Sequence, residues 1–233
     1  MKRVITLAVG LLMMASPSLF SSPALRIYAK YLPKNPVIVE AGAHNGSATQ
    51  SMKVVWPDSK IYAFEPCPEM YNQLIRNIAS YSNVFTFPFA LGDRDGIAKF
   101  YISRGGDGGQ GSLLPPGEGW IWPYITLEET VDVPVRTLDS WAKENNVSKV
   151  DFLWFDLQGM EFQVLQASPE ILSTVKVIQA EFSFIPDWCK GTVLYPELKI
   201  FLLEKGFVEL FKDENVLGGD AVFIRADELI DSI

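Results

Sequence analysis

The sequence has little histidine and cysteine: its 233 residues include one histidine, His44, and two cysteines, Cys67 and Cys189. A structural zinc site needs about four such ligands. The two cysteines lie far apart in the chain, and neither belongs to a CxxC pair. A structural zinc site and a fold built on disulfides are therefore excluded, whereas a single disulfide is not.

Positive charge is also scarce, because 20 lysines and arginines face 28 aspartates and glutamates, giving a net charge of −8. No run of five basic residues occurs. Proteins that hold nucleic acid by neutralising phosphates need such basic surfaces. We therefore expect no nucleic-acid partner. With 48% hydrophobic and 21% charged residues, the composition is that of a globular chain of one domain or two small ones.

The N-terminus, residues 1–22, has the layout of a secretory signal peptide. Lys2 and Arg3 precede an apolar stretch, which small residues and a proline follow. The cleavage site is poor, and an apolar run of about 17 residues is at the lower edge of what spans a bilayer. The sequence leaves three alternatives open for this segment: a cleaved signal peptide, an uncleaved membrane anchor, or neither. Residues 23–233 are expected to form the domain.

From residue 37 onward the chain alternates β-rich runs with helical stretches, which predicts an α/β fold with a mainly parallel sheet and helices on both faces. The predicted helices cover residues 47–55, 69–80, 138–145, 161–167 and 196–205. The predicted strands cover residues 37–41, 60–65, 83–90, 97–103, 131–135, 151–156, 175–184, 207–212 and 221–225. Because no helix separates the last two strands, they should pair antiparallel at one edge of the sheet.

Acidic or glycine-containing segments follow several of the predicted strands. In an open parallel sheet, ligands bind beyond the carboxyl ends of the strands. The segments placed there contain Glu40 and Gly42 to Gly46, Glu65 and Pro66, Gly92 and Asp93, Asp156 and Gln158, and Glu181. Residues 104–119, with seven glycines and two prolines, form a long loop of the kind that is usually a functional lid or disordered.

The first of these segments lacks the glycine pattern of a dinucleotide site. Its spacing is G-x-x-x-G instead of G-x-G-x-x-G, and Glu40 beside it would repel a phosphate but attract an ammonium or sulfonium group. Glu65 stands at the end of the second strand, where an acidic side chain accepts both ribose hydroxyls of an adenosine. S-adenosylmethionine fits these features. An NAD-dependent oxidoreductase or epimerase on a similar sheet is the alternative enzyme.

Five segments in order resemble the FkbM-type family of S-adenosylmethionine-dependent methyltransferases, over roughly residues 37–225. They are VEAGAHNG (39–46), AFEPCPEMYNQL (63–74), ALGDRDGIAKFY (90–101), VPVRTLDSW (133–141) and DFLWFDLQGMEFQVLQ (151–166). The resemblance implies a class I methyltransferase fold, a Rossmann-like, mainly parallel seven-stranded sheet whose last strand is antiparallel. It also implies methyl transfer, typically to a hydroxyl oxygen of a sugar, lipid or other small molecule.

The resemblance further implies the residues of the site. The candidate cofactor contacts are Glu40, Gly42, Ala43, Gly46, Glu65, Pro66 and Asp93, the last at the adenine edge. Asp156 is the first candidate for the general base, followed by Glu161 and His44. Two positions depart from the family pattern, since Trp154 stands where lysine is usual and Gln158 replaces a glutamate. A mechanism that needs Gln158 as a base or metal ligand is therefore in doubt.

Each candidate also has a purely structural alternative. The two loop glycines can serve a tight turn, Glu65 can be a surface charge, and Asp156 can cap the following helix. Glu161 can be an ordinary helix residue and His44 a plain loop residue, and an inert role is favoured for Cys67. Three aromatic residues after the glycine-rich loop can either cover an acceptor or pack the loop: Trp120, Trp122 and Tyr124.

The leader gives weight to a second class of function, an exported binding protein that keeps the fold without catalysis. S-adenosylmethionine is a cytosolic metabolite, so an exported enzyme would lack its methyl donor. Lys2 and Arg3 favour an N-terminus that stays inside, which would send the rest of the chain outward. The sequence does not resolve this conflict, nor does it reveal the oligomeric state or the acceptor. The residues that select the acceptor should lie within 104–130.

Overall fold

The computed structural model describes residues 25–27 and 29–230. The leader proposed for residues 1–22 lies outside the described residues. Within the two described ranges, no helix combines the length and the apolar character that crossing a bilayer requires. The strands are β1 (Val37–Ala41), β2 (Lys60–Phe64), β3 (Val84–Phe87), β4 (Ala90–Leu91), β5 (Gly96–Arg104), β6 (Thr126–Arg136), β7 (Phe152–Phe155), β8 (Val177–Ser183), β9 (Phe207–Glu214) and β10 (Gly218–Arg225). The helices are α1 (Ser47–Val55), α2 (Pro68–Asn77), α3 (Leu138–Glu144), α4 (Glu161–Gln166), α5 (Pro169–Leu172), α6 (Tyr195–Glu204) and α7 (Ala226–Ile230).

The main sheet has seven strands in the order β3-β2-β1-β7-β8-β10-β9. Its strands pair in parallel except at β10, which runs antiparallel to both β8 and β9. The order reverses beside β1, which places the topological switch point between β1 and β7. The predicted seven-stranded, mainly parallel sheet with an antiparallel last strand is confirmed.

The last two strands pair antiparallel at one edge of the sheet, as predicted. Within this pair β10 is inserted between β8 and β9, so β9 is the edge strand. The run Ala221 to Ile224 in β10 is fully buried, whereas β9 is partly exposed along most of its length. A continuous apolar run suits a strand that is covered on both faces, which explains why β10 lies inside.

A second, smaller sheet contains β4, β5 and β6. The single strand predicted over residues 83–90 is split into β3 and β4 because Pro88 interrupts it. Proline lacks the backbone N–H that a sheet ladder requires. After this break the chain leaves the main sheet, and β4 pairs with β6 instead. The small sheet brings Phe100 of β5 and the glycine-rich loop after it to the carboxyl end of the main sheet.

The core consists of two apolar layers, one on each face of the main sheet. Neighbouring residues of β1 belong to different layers, with Ile38 in one and Val39 in the other, as side-chain alternation along a strand requires. The layer of Ile38 is covered by α1 and α2, and the layer of Val39 by α3 to α6. The predicted helices on both faces of the sheet are therefore confirmed.

Candidate active site

A cavity of about 500 Å³ lies beyond the carboxyl ends of β1, β2, β7 and β8. This volume is within the range of about 300–1,000 Å³ that is usual for small-molecule sites. Several of the residues singled out from the sequence line this first cavity together: Gly42, Ala43, His44, Glu65, Pro66 and Asp156. The topology explains their meeting, since each follows a parallel strand close to the switch point.

The loop after β1 is held against both neighbouring strands. The amides of Gly42 and Ala43 both donate to the carbonyl oxygen of Phe64, at 3.0 and 2.9 Å. Gly42 has a φ of 83°, and a Cβ there would lie 1.9 Å from the carbonyl oxygen of Asp156. Glycine is therefore required at this position for two reasons, the left-handed backbone and the close approach of β7.

Glu65 forms one wall of the first cavity and is fixed by two backbone amides. The amide of His44 donates to its Oε2, and the amide of Cys67 donates to its Oε1, both at 2.8 Å. Burial is the largest influence and raises the pKa of Glu65 to about 7, although both amides favour the ionised form. Because a carboxylate oxygen can accept two hydrogen bonds, each oxygen retains capacity for a ligand.

Glu40 does not line the cavity, which differs from its expected place at the methionine end of a cofactor. It shares a face of β1 with Ile38 and is fully buried beneath the loop, where the hydroxyl of Thr49 donates to its Oε2. Its other oxygen has no hydrogen-bond partner among the described residues. Burial raises the pKa of Glu40 to about 8, so the side chain supports the loop mainly in its neutral form at pH 7.

Glu40→Gln is expected to change how stability depends on pH. The raised pKa means that the neutral carboxyl contributes stability that is fully present below pH 4.5 and is lost as pH rises through 8. Glutamine cannot ionise, so the variant does not lose this contribution. Between pH 6 and pH 9 its free energy of unfolding should therefore rise relative to that of the wild type by on the order of 2 kcal/mol. Thermal unfolding at both pH values measures this change. The same stability difference between variant and wild type at both pH values would contradict this prediction.

Two carboxyl groups meet near the carboxyl ends of β7 and β8, since Asp156 follows β7 and Glu181 belongs to β8. The side-chain amide of Gln158 donates from Nε2 to Asp156 Oδ1 and to Glu181 Oε2, at 2.6 Å each. Burial raises the pKa of Asp156, and burial together with the charge of Asp156 raises the pKa of Glu181 well above 4.5. Two such close carboxyls do not both ionise near neutral pH, so the pair holds a proton.

A second cavity of about 780 Å³ adjoins the first. Its walls are largely apolar and aromatic, and include Trp122, Phe162 and Trp188. The residues that line both cavities are Asp107, Gln110, Gln158 and Glu181. The two cavities therefore meet at Gln158 and Glu181 and at the glycine-rich loop.

The loop between β5 and β6, residues 105–125, contributes to both cavities. Its glycine-rich part lines the first cavity and is tied to the loop after β1, since His44 Nε2 lies 3.0 Å from the carbonyl oxygen of Asp107. Its aromatic residues have different positions. Trp122 and Tyr124 line the second cavity, whereas Trp120 packs against Trp188 with ring centroids 5.3 Å apart.

Glu161 lines the second cavity, but both of its oxygens are engaged by the backbone. The amide of Leu157 donates to one oxygen at 2.7 Å and the amide of Gly159 to the other at 3.0 Å. Burial raises the pKa of Glu161 to about 8. These bonds hold the turn that carries Gln158, which has a φ of 50°.

Besides Glu40, two more of the candidate cofactor contacts lie outside the cavity lining. Gly46, with a φ of 87°, precedes α1 and packs closely against Leu74. The Asp93 carboxylate is half exposed and pairs with Arg94 at 3.2 Å. The third-strand side of the cavity is instead formed by the segment before it, Phe89 to Leu91, because the split of the predicted strand at Pro88 turns the chain there.

Two further acidic residues, Glu181 and Asp220, are not among the site residues that the sequence predicts. The two residues face each other in the antiparallel pairing of β8 and β10, and burial raises the pKa of Asp220 to about 7. An ionisable residue in each of two otherwise apolar runs is the signal that could have found them, because such residues are rarely buried without a function.

Neither cysteine carries an evident chemical role. Cys67 and Cys189 are both buried free thiols, and burial raises the pKa of each, that of Cys189 to about 12. Thiols with raised pKa values are poor nucleophiles. Over the described ranges, no group of three or more His, Cys, Asp or Glu side chains is arranged to hold a metal ion.

Comparison with known proteins identifies a family. The family model described as "Methyltransferase FkbM domain" matches residues 40–209. The chain is 28% identical over 155 residues to the 2-O-methyltransferase NoeI of Sinorhizobium fredii (strain NBRC 101917 / NGR234). This alignment covers 64% of the chain and 64% of the relative, just under two thirds of its length.

Solved structures share the fold. The methyltransferase FkbM from Methylobacillus flagellatus KT aligns with a TM-score of 0.53 at 11% identity, covering 82% of this chain and 44% of that one. The N-terminal domain of EvdMO1 with S-adenosylhomocysteine bound aligns with a TM-score of 0.51 at 11% identity, covering 88% of this chain and 79% of that one.

Proposed function

The chain belongs to the FkbM methyltransferase family, and from this premise we propose that it transfers a methyl group from S-adenosylmethionine to a hydroxyl oxygen of a small-molecule, glycan or lipid acceptor. The family match and the class I fold make it an S-adenosylmethionine-dependent methyltransferase. One observation carries the proposal: two cavities, one suited to the cofactor and one to an acceptor, meet at Gln158 and Glu181, beside Asp156.

The first cavity fits the cofactor in shape and charge. The free acceptor positions of Glu65 would bind the ribose hydroxyls, and the backbone of Gly42 and Ala43 would lie along the methionine end. Glu65, Asp156 and Glu181 line the same space, so a ligand with ammonium and sulfonium groups is favoured there. These carboxyls would repel a pyrophosphate, which disfavours the dinucleotide-dependent alternative.

The second cavity fits an acceptor that presents a hydroxyl at the junction of the two cavities, where Gln158 and Glu181 lie. Its aromatic walls can cover the apolar face of a sugar ring or the chain of a lipid, and the junction offers carboxyl and amide groups to a hydroxyl. The relative NoeI is named a 2-O-methyltransferase, which supports oxygen as the methylated atom. When bound, S-adenosylmethionine supplies an electrophilic methyl group on a positively charged sulfur.

The chain's own residues then have two tasks. The cavity walls align the acceptor oxygen with the methyl group, and such positioning can lower a barrier by several kcal/mol. A carboxylate at the junction receives the hydroxyl proton, and Asp156 is the sequence-based candidate for it. Glu161 is less suited, because its oxygens hold the turn that carries Gln158. His44 is less suited, because its Nε2 lies 3.0 Å from the carbonyl oxygen of Asp107.

Calorimetric titration of the full chain with S-adenosylmethionine, S-adenosylhomocysteine and NAD tests the cofactor. We expect both sulfur ligands to bind and NAD not to bind. A panel of methyl glycosides and hydroxylated lipids with methyl-tritiated cofactor then tests the acceptor. Binding of NAD alone would favour the oxidoreductase alternative. Binding of none of the three would favour a non-catalytic protein that keeps the fold.

Trp122→Ala should raise the KM for the acceptor about tenfold or more while leaving the cofactor Kd unchanged. Trp122 lines only the second of the two cavities, and losing a buried aromatic contact costs about 1–3 kcal/mol. Steady-state kinetics and calorimetry separate the two effects. Phe85→Ala is the matched control, because Phe85 is an aromatic residue of β3 outside both cavities. An equal KM in wild type and Trp122→Ala would remove the second cavity from acceptor binding.

A further inference from the structure

We propose that Glu181 is the catalytic residue that contacts the acceptor hydroxyl and receives its proton, and that Gln158 is the positioning residue that orients Glu181 against Asp156. This inference rests on the proposed function and assigns roles within the same site. Its basis is where the three side chains lie relative to the two cavities.

The cavity linings distinguish the two carboxyl groups. Asp156 lines only the first cavity, whereas Glu181 lines both. An acceptor in the second cavity therefore meets Glu181 before it meets Asp156. Both side chains are partly accessible from the cavities, so neither must move through the core to contact a ligand. Asp156 therefore lies on the side of the methyl donor, and Glu181 lies where the cofactor cavity and the acceptor cavity meet.

Gln158 is held rigidly between these two carboxyls. Its Nε2 donates to one oxygen of each at 2.6 Å, and its side chain is 95% buried, with 5% exposed. The hydroxyl of Ser112 donates to the backbone carbonyl oxygen of Gln158 at 2.9 Å, and Glu161 accepts from the backbone amides of Leu157 and Gly159 on either side of it. An amide can donate to two carboxyls at once, whereas an ionised glutamate at this position would add a third negative charge.

The surroundings of Glu181 make its charge depend on the cofactor. The ionisable groups that act on it are Asp156, Glu161 and Asp220, and the thiol of Cys189 also lies near it. Burial and these acidic neighbours raise the pKa of Glu181 well above its usual value and favour its protonated form in the free protein. A sulfonium cation in the first cavity favours the ionised form. Glu181 therefore becomes a base only when the methyl donor is in place.

The acceptor O–H bond breaks and its proton moves to a Glu181 oxygen, while the acceptor oxygen forms a bond to the methyl carbon. The carbon–sulfur bond breaks, and its electron pair remains on sulfur as the neutral thioether of S-adenosylhomocysteine. Asp156 keeps its contact with Gln158 throughout and holds the amide in place.

Binding measurements test this assignment without a known acceptor. The full chain, Glu181→Gln and the exposed-carboxylate control Glu170→Gln are titrated with S-adenosylmethionine and S-adenosylhomocysteine near pH 7, in two buffers of different ionisation enthalpy. Glu181→Gln should reduce the preference for the sulfonium ligand over the thioether about tenfold, because it removes a charge beside the cation. It should also abolish the proton release that accompanies sulfonium binding in the wild type.

The outcomes separate the inference from the proposed function. If the wild type binds neither ligand, the proposed function fails and the inference fails with it. If the wild type binds both but Glu181→Gln has the same preference and proton release, only the inference is overturned. With an acceptor from the panel, Glu181→Gln should lower kcat about 100-fold or more. Gln158→Met should shift the pH profile of kcat while cofactor binding persists, and an unmoved profile would remove its positioning role.

Discussion

Replacing Asp156 with asparagine should lower the rate of methyl transfer by about 100-fold or more while changing the cofactor Kd only a few-fold. Asp156 follows β7 at the switch point and is one of the two carboxyls that Gln158 bridges. Asparagine keeps the size of the side chain but cannot carry charge. The variant then lacks the carboxylate that, through Gln158, holds the proton-accepting Glu181 in place.

The measurement is single-turnover transfer from methyl-tritiated S-adenosylmethionine, compared with the calorimetric Kd of the same preparation. Asp132→Asn is the matched control, because this substitution makes the same chemical change at an exposed carboxylate. Asp132 lies on β6 and pairs with Lys99. Turnover equal to the wild type in Asp156→Asn would remove Asp156 from the mechanism. An equal loss of turnover and cofactor affinity would instead place Asp156 in cofactor binding alone.

Replacing Glu65 with alanine should weaken the binding of S-adenosylmethionine and S-adenosylhomocysteine by about 100-fold each, since losing hydrogen bonds to a charged acceptor costs about 2–3 kcal/mol. The loss should be the same for the two ligands because the ribose is common to both. This equality distinguishes Glu65 from Glu181, whose replacement is expected to change the ratio of the two affinities.

Two further variants sharpen the test of Glu65. Glu65→Gln keeps one acceptor oxygen for the amide of His44 or Cys67 and should lose less affinity than alanine. Glu144→Gln, on the exposed end of α3, is the control. An unchanged dissociation constant in Glu65→Ala would refute the ribose role.

The pH dependence of cofactor binding follows from the same residues. Burial raises the pKa of Glu65 to about 7, and hydroxyl donors bind the ionised form better. Cofactor affinity should therefore rise as pH increases through 7, in the opposite direction to the stability contribution of the neutral buried carboxyls. The fully buried Glu40 contributes to the stability effect only, because it does not line the cavity.

The fold class follows from the amino-acid sequence alone, because the alternation of buried strands and amphipathic helices leaves few topologies other than a mainly parallel sheet. The sequence also predicts that Glu65 and Asp156 lie at one edge of the sheet, since each directly follows a strand and the carboxyl ends of parallel strands share one edge. These features depend on local order along the chain, and local order can be read from residue types and spacing.

Which of these side chains share a cavity depends on tertiary packing. Glu40 was expected in the site, but its place on β1 turns it toward α1, whereas Glu181 reaches the junction from β8. Whether an acidic residue near a strand end faces a cavity or the core depends on side-chain alternation and on what packs against that face. The loop of residues 105–125 lines both cavities through contacts with segments distant in sequence, and neither composition nor periodicity encodes such contacts.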